Sequence, residues 1–175
     1  MSYIFYDFSS FIFITKSIAG LILFSILLQI TIIDLISMRI PKVLCIKGFL
    51  TGILTNYLIF FIDTSKYFSY EFMEYLFSPM ITLLLFDSFC KITKLLLNRD
   101  ILGLGDSKLI AMGSAWVGWE GIWMSLSMAF LFSGIFSLFC FYKKIIKPKQ
   151  AFPFAPFLSL GILGVWILGP NWWFN

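Results

Sequence analysis

Two aspartates stand out from a chain otherwise built of apolar residues. Asp106 sits in Gly103-Leu104-Gly105-Asp106-Ser107-Lys108-Leu109, directly behind a Gly-x-Gly turn, and Asp34 closes the first long apolar run. Charged side chains at membrane depth are costly and tend to be retained for function. Two such carboxylates brought together in a low dielectric cannot both ionise readily, so the pair would hold one proton between them. The ionised member can then take a proton from water as the water attacks a peptide carbonyl, while the protonated member donates to the carbonyl oxygen. This is the chemistry of an intramembrane aspartic protease, and it needs no metal or cofactor.

The rest of the composition describes the medium in which those acids must work. The 175 residues are 60% hydrophobic, 20% aromatic and only 13% charged, against about 25% charged in a typical soluble domain. Apolar runs of about the 20 residues needed to cross a bilayer occur near 11–33, 43–62, 76–97, 121–142 and 152–169, with a shorter one at 107–119. Counting the short run as a crossing predicts an all-α, polytopic membrane helical bundle of about six transmembrane helices. No linker or repeat divides the chain, so residues 1–175 read as a single domain. Residues 11–33 do not read as a cleaved signal peptide, because the basic residues follow the run more than they precede it.

Charge placement sets the expected orientation, because Lys and Arg gather in cytoplasmic loops. Arg39, Lys42 and Lys47 follow the first run. Lys91, Lys94, Arg99 and Lys108 surround the Gly-x-Gly turn, and Lys143, Lys144, Lys147 and Lys149 precede the last run. With six crossings, eleven of the thirteen basic residues fall on one side, whereas Asp63, Lys66, Glu71, Glu74 and Glu120 fall on the other. Both termini are then outside, and Asp34 and Asp106 reach the same cytoplasmic face. The net charge of +4 is thereby explained by membrane topology, and no nucleic-acid partner is expected.

The residues around the two acids resemble those of the prepilin peptidases, the type IV leader peptidases of the GxGD group of membrane aspartic proteases. Asp34-Leu35-Ile36-Ser37-Met38-Arg39-Ile40-Pro41 is similar to the family's first catalytic Asp followed by a basic residue and Ile-Pro. Gly103 to Leu109 is similar to its GxGDxKL box, and Phe152-Pro153-Phe154-Ala155-Pro156-Phe157-Leu158 to the PFGPF element that opens its last helix. Ala155 stands where the family usually has Gly, and Lys42 where Asn is common. The resemblance implies catalytic roles for Asp34 and Asp106, with Gly103, Gly105, Lys108, Arg39, Pro41, Pro153 and Pro156 supporting the site or binding substrate. It further implies cleavage of the basic leader from type IV prepilin or pseudopilin precursors in the plasma membrane, after a glycine preceding the substrate's apolar helix. Leader and rim are both basic, so anionic lipid of the bilayer is the expected partner that attracts both.

Large members of that family carry paired Cys-x-x-Cys motifs and a methyltransferase activity. Here Cys45, Cys90 and Cys140 are dispersed and there is no histidine, so neither that region nor a zinc site is expected. The chain is similar to a short, peptidase-only form.

Other readings of the same residues remain. Asp106 could cap the helix it opens, Asp34 could pair with Arg39, and Asp87, inside the third run, could be held by Lys91 at i, i+4 spacing. Lys108 could ease the charge at Asp106 or bind lipid phosphate. Glu120 is expected in an outer turn. The remaining glycines, among them Gly48, Gly52, Gly113, Gly118 and Gly161, read as close-packing positions, and the lone Gly-x-Gly lacks the third glycine and preceding strand of a dinucleotide fingerprint. Trp172 and Trp173 read as an interfacial anchor. A small transporter or proton-linked channel would also carry embedded acids, and a non-catalytic assembly scaffold would tolerate their loss.

Overall fold

A computed structural model describes residues 2–62, 70–97, 103–143 and 153–169. The expected anchor Trp172 and Trp173, and the loop residues Asp63, Lys66, Arg99, Lys144, Lys147 and Lys149, lie outside the described residues. Five helices account for nearly all of the rest: α1 (Ser2–Ser37), α2 (Lys42–Ile62), α3 (Tyr70–Leu97), α4 (Leu104–Tyr142) and α5 (Ala155–Leu168). The first four are long and apolar enough to cross a membrane, and α5 is a shorter apolar helix. The all-α membrane bundle is therefore observed, but the six expected segments occur as five helices.

The difference lies in α4, which joins the fourth and fifth expected segments without a loop. A straight helix of its 39 residues would run about 58 Å, nearly twice the ~30 Å hydrocarbon layer. It does not run straight. Gly118 inside it adopts φ 76°, ψ −174°, a region open essentially to glycine alone, so this residue serves conformation and not only close packing. The contacts show what the break does. Gly113 packs on Ile162 and Gly121 on Val165, and Gly113 also lies against Ile122, nine residues further along its own helix. Gly161 meets Ser125. Helix α5 thus runs parallel to residues 104–117 and antiparallel to 119–142, which makes the two arms of α4 antiparallel to each other. The chain turns back at Gly118 with a single non-helical residue.

The turn leaves backbone amides of the second arm without helical partners. Glu74 of α3 supplies one acceptor, its Oε1 receiving the Trp119 N–H at 2.9 Å, with negative charge at a helix start as the helix dipole favours. Exposed Glu120 lies in the same turn.

The first arm of α4 is the buried centre of the bundle. Leu109, Ile110, Met112, Ala115 and Trp116 are all inaccessible. Lipid tails are as apolar as these side chains, so close approach and interhelical hydrogen bonds must hold such helices together. Both are present. The Trp116 indole N–H donates to the Gly48 carbonyl of α2 at 2.8 Å, and Asn56 Nδ2 donates to the Ala115 carbonyl at 2.8 Å. From α3, Ser78 Oγ donates to the Ser114 carbonyl and Thr82 shares a 2.9 Å hydrogen bond with the Ser114 hydroxyl. Gly48 and Gly52 clear the space that Met112 and Trp116 fill. The outer face, including Leu131, Ile135 and Leu138 of the second arm, is exposed and apolar, as a lipid-facing surface requires.

Candidate active site

One end of this bundle gathers the C-terminus of α1 and the N-termini of α2, α4 and α5. Asp34 lies in the last turn of α1, where its carbonyl accepts the Met38 N–H at 2.8 Å. Met38 itself is left-handed, with φ 49°, which costs a non-glycine residue about 1 kcal/mol or more. The chain then turns through Arg39 and Ile40 to Pro41, whose carbonyl accepts the Leu44 and Cys45 amides and starts α2.

A carboxylate in the last turn of a helix faces the negative end of the helix dipole, an unfavourable place for an anion. Asp34 is nevertheless only 6% exposed, and its Oδ2 has no hydrogen-bond partner among the described residues. Arg39 is exposed on the turn and makes no ion pair with it among the described residues. Compensation comes from α5, whose Ala155 backbone amide faces the Asp34 carboxylate as a hydrogen-bond donor. The first amides of a helix have no intrahelical partner and carry its positive end. The proline-rich element therefore acts through its backbone: Phe154 caps α5, Pro156 occupies a first-turn position that needs no N–H, and Pro153 leads the chain in. Sequence reasoning found the element but not the Ala155 amide, although a proline just inside a helix start was the available signal.

Asp106 arrives from the opposite direction. Its helix begins at Gly103, in extended conformation at φ −69°, ψ 140°. Asp106 occupies the third helical position, not the N-cap, and binds reciprocally: its N–H donates to the Gly103 carbonyl at 2.9 Å, and its Oδ2 accepts the Gly103 N–H at 3.2 Å. Neither Gly103 nor Gly105 has positive φ. Gly105 serves clearance instead, since a methyl there would lie 3.0 Å from Cβ of Ile40 in the α1–α2 turn. That contact seats the start of α4 against the segment that follows Asp34. The half-buried Asp106 carboxylate lies within electrostatic reach of Asp34.

Of the residues expected around the site, Asp34, Asp106, Gly103, Gly105, Pro41, Pro153 and Pro156 shape this end of the bundle. Lys108 stands about 200° round the helix from Asp106 and lies toward Cys45 of α2, so it does not come between the acids. Asp87 is accounted for by Lys91, 2.8 Å away at i, i+4 spacing, the pair being 36% and 73% exposed. No cluster of three metal-ligating side chains occurs among the described residues.

The comparisons with known proteins point the same way. The model of the type IV leader peptidase family matches residues 21–138, which include both aspartates and the reversal at Gly118. A prepilin leader peptidase/N-methyltransferase of Aeromonas salmonicida is 27% identical over 144 residues, covering 82% of this chain and 47% of the relative. The protein of the same name from Pseudomonas aeruginosa is 25% identical over 134 residues, covering 77% of this chain and 43% of the relative. One from Burkholderia pseudomallei is 32% identical over 68 residues, 39% of this chain and 22% of its own length. The match covers less than half the length of each of these curated relatives, and no solved structure matches the chain. It is an integral membrane protein that belongs to the type IV leader peptidase family.

Proposed function

We propose that this protein is an aspartic endopeptidase that removes the basic leader of type IV prepilin-like proteins at the cytoplasmic face of the plasma membrane, with Asp34 and Asp106 as the catalytic acids. The observation that supports the reading is that two carboxylates from different helices lie at the same end of the bundle within electrostatic reach of each other, one of them buried with an oxygen that has no partner among the described residues. A buried carboxylate oxygen left without a partner is expensive, and structural packing gives no return for it. In the proposed reaction the ionised acid accepts a proton from water as the water oxygen bonds to the scissile carbonyl carbon. The protonated acid gives its proton to the carbonyl oxygen, and the resulting diol collapses with breakage of the C–N bond as the leaving amine takes the proton that the first acid received from water and a diol hydroxyl returns a proton to the second acid. Pro41, Gly103, Gly105, Pro153 and Pro156 shape the approach to the acids, and Arg39 and Lys108 belong to the basic rim around it. Both termini lie outside, which places the basic rim in the cytoplasm, and anionic lipid at that rim gathers the enzyme and the basic leader.

The relatives are named for methyl transfer as well as for peptidase activity. The two aspartates support the peptidase activity, and it is this activity that we propose. Purified protein incubated with a prepilin in mixed micelles tests it by mass spectrometry. The reading expects a product cut after the glycine that precedes the apolar helix. An uncut precursor contradicts the peptidase reading.

A further inference from the structure

Two buried oxygens lack hydrogen-bond partners among the described residues: Asp34 Oδ2 and the hydroxyl of Ser159. Each residue is 6% exposed. A helical serine has an easy way to satisfy its hydroxyl, by returning it to the carbonyl three or four residues back. Ser114 and Ser125 do so, on the carbonyls of Ala111 and Gly121. Ser159 does not, so its hydroxyl is turned away from its own backbone.

The register of α1 against α5 places the two residues on facing turns. Ala155 meets Asp34 at one end of the pair, and Trp166 lies against Gly20 further in, so the helices are antiparallel. Ser159 is one turn in from Ala155 on the same face, opposite the turn of α1 that precedes Asp34. Side chains on a helix lean toward its N-terminus. The Asp34 carboxylate therefore leans inward toward the level of Ser159, and the Ser159 hydroxyl leans outward toward Asp34. Each leans toward the other's level, and neither bonds the other directly. Buried waters in proteins typically satisfy such otherwise unpaired groups.

We propose that Ser159 is a positioning residue of the active site, holding one buried water that its hydroxyl and Asp34 Oδ2 share. The water and the Ala155 amide together fix the carboxylate from its inner side, leaving the outer side for the substrate and Asp106. This rests on the assignment of Asp34 to catalysis made above, and it extends the site to a residue outside all three sequence elements that suggested it.

A merely structural hydroxyl makes the opposite prediction for Ser159→Ala, because deleting an unsatisfied buried hydroxyl should leave the fold as stable or more so, with activity untouched. If Ser159 positions Asp34, kcat for prepilin cleavage falls on the order of tenfold, KM stays within about twofold, and the melting temperature does not drop. Ser159→Thr, which keeps the hydroxyl, restores most of kcat. A second measurement is independent of turnover: infrared difference spectra of protein carrying isotope-labelled aspartate, in which the Asp34 band is identified by its loss in Asp34→Asn. That band moves in Ser159→Ala and stays in place in Ser125→Ala. An unchanged kcat in Ser159→Ala, or an Asp34 band that does not move, overturns the proposal. A wild-type protein that cleaves no prepilin would instead count against the peptidase reading, with the infrared arm still deciding the water site.

Discussion

Replacing Gly161 by alanine should slow the protein sharply without touching either aspartate. Gly161 is the crossing point of α5 and the second arm of α4, where its Cα rests on the backbone of Ser125. An added methyl would meet the Ser125 carbonyl oxygen and lie 3.1 Å from its carbon and 3.3 Å from its Cα. Carbon atoms in contact prefer about 3.5 to 4.0 Å, so the helices must separate by roughly 0.5 to 1 Å. The obstacle is backbone, and no side chain can rotate out of the way. Overpacking of this kind costs about 1 to 3 kcal/mol. Ala155 lies six residues away, about 9 Å along the helix, and moves with it, withdrawing its amide from Asp34. Since a 1 Å misplacement can cost about a hundredfold in rate, kcat for prepilin cleavage should fall between about ten- and a hundredfold, with a lower melting temperature. Gly164→Ala is the matched control. It makes the same change one turn further along α5, where the nearest atom is Met128 Sδ at an ordinary 3.9 Å, and it should leave activity and melting unaltered. Equal activity in the two variants would refute the view that α5 is seated by backbone contact at Gly161 and delivers its N-terminus to Asp34.

Glu74→Ala removes the acceptor of the Trp119 N–H and should destabilise the reversal by about 1 to 3 kcal/mol, seen as earlier thermal denaturation, with Glu74→Gln milder because an acceptor remains. Asp87→Asn leaves cleavage at the wild-type rate, since Asp87 is engaged with Lys91; a large loss would make it a third candidate acid. The three buried cysteines Cys45, Cys90 and Cys140, none of them in a disulfide, all lie toward the end of the bundle that carries the aspartates. They should form no disulfide and resist an impermeant thiol reagent added outside intact cells, and labelling of Cys45 would reverse the proposed orientation.

The parts of this structure that follow from local chemistry were legible in the sequence. Long apolar runs imply helices in a bilayer, and glycine next to a bulky partner implies close approach. What stayed hidden depends on register between distant segments. Gly118 reads like any other small residue of a membrane helix, and only the contacts of α5 with both arms of α4 reveal that the chain reverses there. Glu74 reads as an outer-loop acid because nothing in its neighbourhood points to Trp119, 45 residues away. The glycines before Asp106 read as a Gly-x-Gly turn, whereas the structure uses Gly105 for room beside Ile40. The Ala155 amide and the Ser159 hydroxyl escaped notice for a related reason: a backbone donor has no residue type, and a lone serine carries no pattern until its helix is set against α1.

The most direct test of the account is cleavage of a prepilin by Asp34→Asn and Asp106→Asn, each checked for insertion and for a melting temperature close to that of the wild type. Asparagine preserves shape and hydrogen-bonding capacity but cannot accept or donate the proton that the paired acids must exchange with water and substrate. Both variants should accumulate in the membrane and leave the precursor uncut, while Asp87→Asn processes it normally. Substantial turnover by either the Asp34 or the Asp106 variant would contradict the two-aspartate mechanism.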